Sequence, residues 1–329
     1  MPYFYGGGKR MVKLKILLVV VATFFLIWML HAVGWQALVQ HLRLIGWYWP
    51  LILLPYLLVN LMDAISWRLT IDSPPAAVTI RHLFFNRLAG EAINVLTPTA
   101  SLGGEPLKAL MLQKRGVALT NATASVIISK GILVLSLVVY ILLGLALAPF
   151  LFVLPSHWLL LLILAALGLG VAGLIFVLGQ KHGLCQMGMK LCQKIRFIPR
   201  FLQDQEAALC RLDAQMATFY QHHQRRFYLA LGFFLLGWLF HGFEVYIIFY
   251  LLGQPLTWVT ALCLDALAIL ITSLAFFIPG NLGVQDGGNI LLTMGLHLGA
   301  ILGATFSVIR RLREGFWLAV GLVVLAYEK

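Results

Sequence analysis

The chain has 329 residues, of which 61% are hydrophobic and 11% are charged, against about 25% charged in a soluble globular protein. That composition excludes a water-soluble fold. The formal net charge of +12 would suggest nucleic acid in a soluble chain, but here it reads as membrane topology and attraction to anionic headgroups, with no nucleic-acid partner.

In chain order, a first apolar run at about 14–33 follows Lys9, Arg10, Lys13 and Lys15. It is too long for a signal-peptide core and reads as a retained anchor with its N-terminus inside. Trp47, Tyr48 and Trp49 are spaced as interfacial aromatics before a span at about 50–69. The segment 81–115 is apolar but broken at Thr97-Pro98-Thr99-Ala100-Ser101-Leu102-Gly103-Gly104-Glu105-Pro106. Each half is short of the roughly 20 residues a crossing needs, so the reading is a re-entrant hairpin from the basic side. Irregular backbone at membrane depth requires burial in protein or a wet cavity. Spans at about 119–146, with Lys130 near its centre, and 159–178 follow.

The basic stretch 181–226 places Leu184, Met187, Leu191, Ile195 and Ile198, then Leu209, Leu212, Met216 and Phe219, at helical spacing. It is expected to be an amphipathic segment on the cytoplasmic lipid surface, bent at Pro199. A span at about 227–252 leads to a second broken segment, 258–298, with its break at 278–288. The last segment contains Arg310, Arg311, Arg313 and Glu314. It is either one span with buried arginines or two shorter spans with the arginines in a cytoplasmic turn. Cys185, Cys192, Cys210 and Cys263 lack CxxC spacing and read as free thiols.

The two breaks align at an offset of 181 residues, which pairs Pro98 with Pro279, Glu105 with Asp286, Asp63 with Glu244, and Lys130 with Arg311. Arg87 and Glu91 fall on Ala268 and Thr272 and do not match. The expected fold is an all-α polytopic membrane protein of about six full spans plus two re-entrant helical hairpins. It divides into an anchor (1–47), repeat 1 (48–148), a linking span with the basic segment (149–228) and repeat 2 (229–329). The linking span makes the repeats inverted, with both termini cytoplasmic, and the buried-arginine reading of the last segment follows from Lys130, the offset mate of Arg311.

An ionisable residue at a helix centre costs about 3 kcal/mol on insertion scales. Asp63, Glu91, Glu105, Lys130, Glu244, Asp265, Asp286, Arg311 and Glu314 are therefore functional candidates, and the bland alternative is mutual neutralisation. Arg87 with Glu91 and Arg310 with Glu314 are at i,i+4, which suits local pairs. Lys130 has no such neighbour and is expected to reach Glu105, Asp286 or a lipid phosphate. Glycines Gly103, Gly104, Gly283, Gly287 and Gly288 allow close backbone approach, and half-helix N-termini beside them favour anions. With Lys130, Arg310 and Arg311 they form a candidate phosphate cradle, and Lys108 is a further substrate-binding candidate. His31, His241 and His297 are isolated and read as structural. No HExxH, GxSxG or metal-spaced cluster occurs, so no enzyme activity, metal or cofactor is expected.

Asn86-Arg87-Leu88-Ala89-Gly90-Glu91-Ala92-Ile93-Asn94-Val95-Leu96-Thr97-Pro98, continuing through Gly103-Gly104-Glu105-Pro106-Leu107-Lys108, resembles the lysylphosphatidylglycerol synthase transmembrane (flippase-like) family. Ile278-Pro279-Gly280 to Gly283 and Asp286-Gly287 look like that family's second motif, with Asp where Glu is common. The resemblance implies a bacterial inner-membrane protein that moves a lipid between leaflets, with Arg87, Glu91, Asn94, Pro98, Glu105, Pro279 and Asp286 among its site residues. It points to a phospholipid, an aminoacylated phosphatidylglycerol or a hopanoid as partner. Homo-oligomerisation and association with lipid-synthesis enzymes are compatible with it, and the synthase domain of the large members does not fit in this chain. A membrane-embedded enzyme with Glu105 or Asp286 as general base, and a non-catalytic scaffold, are the alternatives.

Overall fold

The computed structural model describes residues 43, 45–97, 103–151, 156–182, 206–274 and 283–327. The expected first span, Pro98, Pro279, Cys185, Cys192 and Pro199 lie outside these residues. The described residues are helical, without strands. A 3-10 turn Gly46–Tyr48 leads into α1 (Trp49–Thr70), followed by α2 (Ile80–Leu96), α3 (Glu105–Gln113), α4 (Leu119–Leu151) and α5 (Ser156–His182). Then come α6 (Glu206–His222), α7 (Gln224–Leu251), α8 (Trp258–Leu274), α9 (Val284–Gly295) and α10 (Ala300–Tyr327).

Among the described residues, three helical stretches are long and apolar enough to cross a membrane: Gly46–Thr70, Leu119–Leu151 and Gln224–Leu251. Shorter apolar stretches occupy Ile163–Gly179 and Trp258–Ser273. The chain is therefore a multi-pass membrane protein. The halves of the two broken segments are short helices: α2 and α8 have 17 residues each, α3 has 9 and α9 has 12. At about 1.5 Å per residue none reaches the roughly 30 Å of a bilayer core. Thr79 starts α2 by accepting a hydrogen bond from the His82 amide at 3.3 Å, as N-cap threonines do.

α2 and α3 fold back on each other as a helical hairpin. Asn86 Nδ2 donates to the Lys108 carbonyl at 3.1 Å, and the Gly104 amide donates to Asn94 Oδ1 at 2.7 Å. The helices approach so closely that a Cβ on Gly104 would collide with the Gly90 carbonyl. In the second hairpin Gly288 of α9 faces Ile271 of α8, whereas Gly287 faces open space. Only Gly288 of that pair is needed for close packing.

α1 packs along α7, α2 packs on α10, and α8 packs on α4. Ser66 of α1 donates to the Ala230 carbonyl of α7 at 2.8 Å. Val245, Ile248 and Phe249 of α7 form a core with Leu264 and Leu267 of α8 and Phe306 of α10. The 181-residue offset relates the ends of α1 and α7 (Thr70 and Leu251) and the starts of α4 and α10 (Leu119 and Ala300).

One expectation is met here and one is corrected. α10 is a continuous helix of 28 residues in which Arg310, Arg311 and Arg313 are 4%, 3% and 2% exposed. The alternative of two spans joined by an arginine turn does not occur. In α6, Leu212, Met216 and Phe219 are buried against Ala124, Ile128 and Ile132 of α4 and Phe234 of α7. The apolar stripe of this helix is thus covered by protein rather than lying on lipid, because the bundle offers it a more complete apolar contact. Burial there pushes the Tyr220 phenol up from its ordinary value.

Candidate functional site

A cavity of about 330 Å³ lies between the two hairpins, lined by α1, α2, α7, α8, α9 and α10. Its volume is at the small end of ligand cavities, about 300–1,000 Å³, and suits a headgroup-sized moiety. Its lining mixes aliphatic side chains, Leu88, Ala92, Val95, Ile269 and Leu318, with polar ones, Glu91, His241, Gln285, Arg310, Arg311 and Glu314. Three offset-related pairs line this one cavity, namely Asn60 with His241, Leu88 with Ile269, and Glu91 with Thr272. A second cavity of about 40 Å³ lies beside the first hairpin, lined in part by Arg87, Glu91, Glu105, Lys108, Ser129 and Lys130. The offset mates of Ser129 and Lys130 are Arg310 and Arg311, which line the larger cavity.

The ion pairs are built across helices. Arg87 bonds Asp63 and the Asn60 carboxamide of α1. Glu105, at the first turn of α3, takes Lys108 at 3.1 Å and Lys130 of α4 at 3.5 Å, and Asn94 Nδ2 also donates to it at 3.4 Å. In the second unit Asp286, at the first turn of α9, takes Arg311 of α10 at 3.1 Å. Lys130–Glu105 and Arg311–Asp286 are offset mates, and both are ion pairs. Arg311 also reaches Glu314 at 3.3 Å, and Glu314 accepts from Gln285 at 2.8 Å.

Two deeper pairs hold α10 to its neighbours. Arg313 Nε donates to Glu244 of α7 at 2.9 Å, and its guanidinium lies 4.0 Å from the Tyr56 ring centre. Arg310 Nη2 donates to Asp265 of α8 at 2.8 Å. Asp265 is fully buried and also accepts from the Tyr140 hydroxyl at 2.9 Å. His241 Nδ1 lies 3.0 Å from both Asp265 oxygens and 3.1 Å from Arg310 Nη2. Partners on this scale are what a low-dielectric site demands, since a single buried charge would otherwise be lost to neutralisation.

Glu91 differs from the other carboxylates. It lines both cavities, yet among the described residues no Lys or Arg nitrogen lies within 4.0 Å of it.

The local i,i+4 pairs expected for Arg87–Glu91 and Arg310–Glu314 are therefore replaced by interhelical ones. Both arginines face inward, where a neighbouring helix supplies a carboxylate at shorter range. The single phosphate cradle is not assembled either. Lys108 and Lys130 face the small cavity, and Arg310 and Arg311 face the large one. The half-helix N-termini are already occupied: Asp286 accepts from the Gly283 amide at 3.2 Å, and Glu105 stands at the first turn of α3. Gly283 caps α9 with a φ of 76°, a left-handed conformation that favours glycine, and Gly103 lies in the turn before α3.

Of the sequence-derived candidates, Arg87, Glu91, Asn94, Glu105, Lys108 and Lys130 come together around the first hairpin. Asp286, Arg310, Arg311 and Glu314 come together around the second. His241 was not among them. Its signal was weak, because its partners Asp265 and Arg310 lie 24 and 69 residues away.

The comparisons with known proteins fit this architecture. The family model for the lysylphosphatidylglycerol synthase TM region matches residues 14–321. A UPF0104 membrane protein of Methanothermobacter thermautotrophicus is 28% identical over 278 residues, 80% of each chain. No solved structure gives a significant match. With a family model spanning nearly its whole length, the chain belongs to the lysylphosphatidylglycerol synthase TM region family.

Proposed function

We propose that this protein translocates a membrane lipid between leaflets, passing the headgroup through the 330 Å³ cavity while the acyl chains stay in the bilayer. The observation that carries this reading is the cavity's mixed lining between the hairpins, with ion-paired arginines beside aliphatic side chains. A lipid is a ligand that offers both an anionic headgroup and apolar chains to such a lining.

The two units, α1–α4 and α7–α10, act as inverted repeats, each a span, a re-entrant hairpin and a span. Three features support this. The contacts exchange under the offset, since α1 meets α7, while α2–α10 and α8–α4 are equivalent pairs. The helix ends match, and so do the two hairpin ion pairs. Inverted repeats with broken helices at the midplane are a transporter architecture. The protein sits in a bacterial inner membrane with both termini cytoplasmic, on the distribution of Lys and Arg. The enzyme reading is not favoured, because the carboxylates proposed as its base, Glu105 and Asp286, are both engaged by cations.

Native mass spectrometry with lipidomics on detergent-purified protein, wild type beside Arg311→Ala, tests this. Enrichment of one phosphate-bearing lipid in the wild type and its loss in the variant is the expected result. Bound lipids that mirror the bulk membrane in both proteins would sink the headgroup role of this cavity and leave the scaffold reading ahead.

A further inference from the structure

Resting on the translocation reading, we propose that the acyl chains of the lipid reach the large cavity through the seam between α2 and α10, which serves as a lateral portal. Leu88 and Ala92 of α2 line this cavity and also close on Gly321 of α10, where a Cβ would collide with the Leu88 carbonyl. Phe84 of α2 meets Trp317 of α10 edge to face at a centroid separation of 6.4 Å, and Trp317 and Leu318 line the cavity too. Cavity wall and seam therefore share residues, and a gap between these two helices opens directly into the cavity. Beside them on α10, Phe316 and Val323 are exposed among the described residues, apolar surface suited to lipid chains.

The offset that relates the two units turns the α2–α10 seam into the α8–α4 seam, and the two are closed differently. Between α4 and α8 the Tyr140 hydroxyl donates to Asp265 at 2.9 Å, and the Cys263 thiol donates to the Gly144 carbonyl at 3.2 Å. The offset mates of Asp265 and Tyr140 are Phe84 and Gly321. Where one seam has a carboxylate and a hydroxyl, the other has a phenyl ring and no side chain. The hydrogen bonds and ion pairs described for α2 run to α1 and α3. Those that α10 makes with other helices run to α7, α8 and α9. The ring N–H of Trp317 is buried without an acceptor among the described residues.

The membrane decides which seam yields. Lipid tails are as apolar as Leu, so an apolar helix face gains little from meeting another helix instead of lipid. Parting α2 from α10 exchanges contacts of Phe84, Leu88 and Ala92 for contacts with an acyl chain and breaks no described hydrogen bond. Parting α4 from α8 strips a donor from the fully buried Asp265 and leaves the Tyr140 hydroxyl bare, a cost that apolar chains cannot offset. Each wall of the α2–α10 seam is also tied back within its own unit, α2 to Asp63 of α1 through Arg87 and α10 to Glu244 of α7 through Arg313. Asp63 and Glu244 are themselves offset mates. Walls held in this way can part as bodies while the α4–α8 contact stays closed.

The test uses the full chain in phosphatidylethanolamine–phosphatidylglycerol liposomes. The first probe is phosphatidylglycerol carrying a diazirine in one acyl chain, activated by light and mapped by peptide mass spectrometry. Adducts are expected on Leu88 and Leu318 and not on Ile141 of α4 or Leu264 of α8, all four being buried. No adduct on Leu88 or Leu318, or equal labelling of both pairs, overturns the portal. The second probe is a disulfide between Ala92→Cys and Gly321→Cys, with the four native cysteines changed to Ser. A Cβ on Gly321 would stand 3.0 Å from the Ala92 Cβ, close to the separation of about 3.8 Å that a disulfide spans. Leaflet exchange of fluorescent phosphatidylethanolamine and phosphatidylglycerol is expected to fall about tenfold or more on oxidation and to return on reduction. A verified cross-link that leaves the rate unchanged overturns the portal and leaves translocation standing. If the double variant does not fold, the photolabelling, which needs no variant, decides. If the wild type exchanges neither lipid, the translocation reading falls, while the adducts still decide whether the seam admits an acyl chain.

Discussion

The Arg313–Glu244 pair offers a quantitative test of how the bundle is held. Its two side chains are 2% and 0% exposed and meet at 2.9 Å, and the guanidinium also stacks 4.0 Å from the Tyr56 ring. Among the described residues Glu244 Oε2 has no hydrogen-bond partner, so the carboxylate depends on this one arginine. Removing either partner strands the other charge in the core, at a cost of about 3–5 kcal/mol. Replacing both by apolar residues of similar volume removes that stranded charge and is expected to be near neutral. The Tyr56 stack, about 2 kcal/mol when desolvated, is lost only in variants lacking Arg313. The expected order of stability is therefore wild type, then Glu244→Leu/Arg313→Met below it by about the 2 kcal/mol of the stack, then Glu244→Leu, with Arg313→Met lowest because it loses both pair and stack. At roughly 2–4 °C per kcal/mol, each single variant should lose on the order of 6–20 °C in a size-exclusion thermostability assay in detergent. Additive single and double variants, or singles within a degree of wild type, would refute the idea that this pair is desolvated and mutually dependent.

Other perturbations separate packing from chemistry. Gly104→Ala forces a methyl group into the Gly90 carbonyl and should destabilise by about 1–3 kcal/mol, whereas Gly287→Ala meets nothing within 4 Å and should leave the melting temperature unchanged. Met216→Asp buries a charge where the side chain is 0% exposed; a large drop in folded yield is expected, and normal yield would return α6 to the lipid surface. Cys263 is 0% exposed, with its thiol donating to the Gly144 carbonyl at 3.2 Å. With the other three cysteines changed to Ser it should resist a maleimide until denatured, and rapid labelling would show that α4 and α8 part readily.

Much of this architecture was legible because charge is so expensive in a membrane that each ionisable residue marks something. The breaks at 97–106 and 278–288 stood out by their Pro and Gly content, and the described helices do stop beside them. The offset was carried by residue types alone and is matched by the two hairpin ion pairs. Partner choice was legible only in part: Lys130 does reach Glu105, one of the partners expected for it, but the i,i+4 pairs do not form. Spacing offers Arg87 the nearby Glu91, yet it bonds Asp63, 24 residues away on another helix. Helical spacing describes one helix surface, while partners at depth are set by which helices lie side by side. The same limit hid His241, whose environment comes from four helices. In α6, periodicity identified an apolar face correctly but could not tell protein from lipid as its cover.

Helix α5 contributes little to the core. Leu160, Leu161, Leu164, Leu167 and Leu174 are each more than half exposed, and few of its residues are buried. In the proposed arrangement its value is one of parity. A unit of span, hairpin and span crosses the bilayer twice, so two such units joined directly would point the same way. One additional crossing turns the second over, and only then can equivalent helices meet face to face as α1 and α7 do. A segment with this duty can drift in sequence as long as it stays apolar and long enough, but it cannot be deleted or doubled without reversing half the molecule.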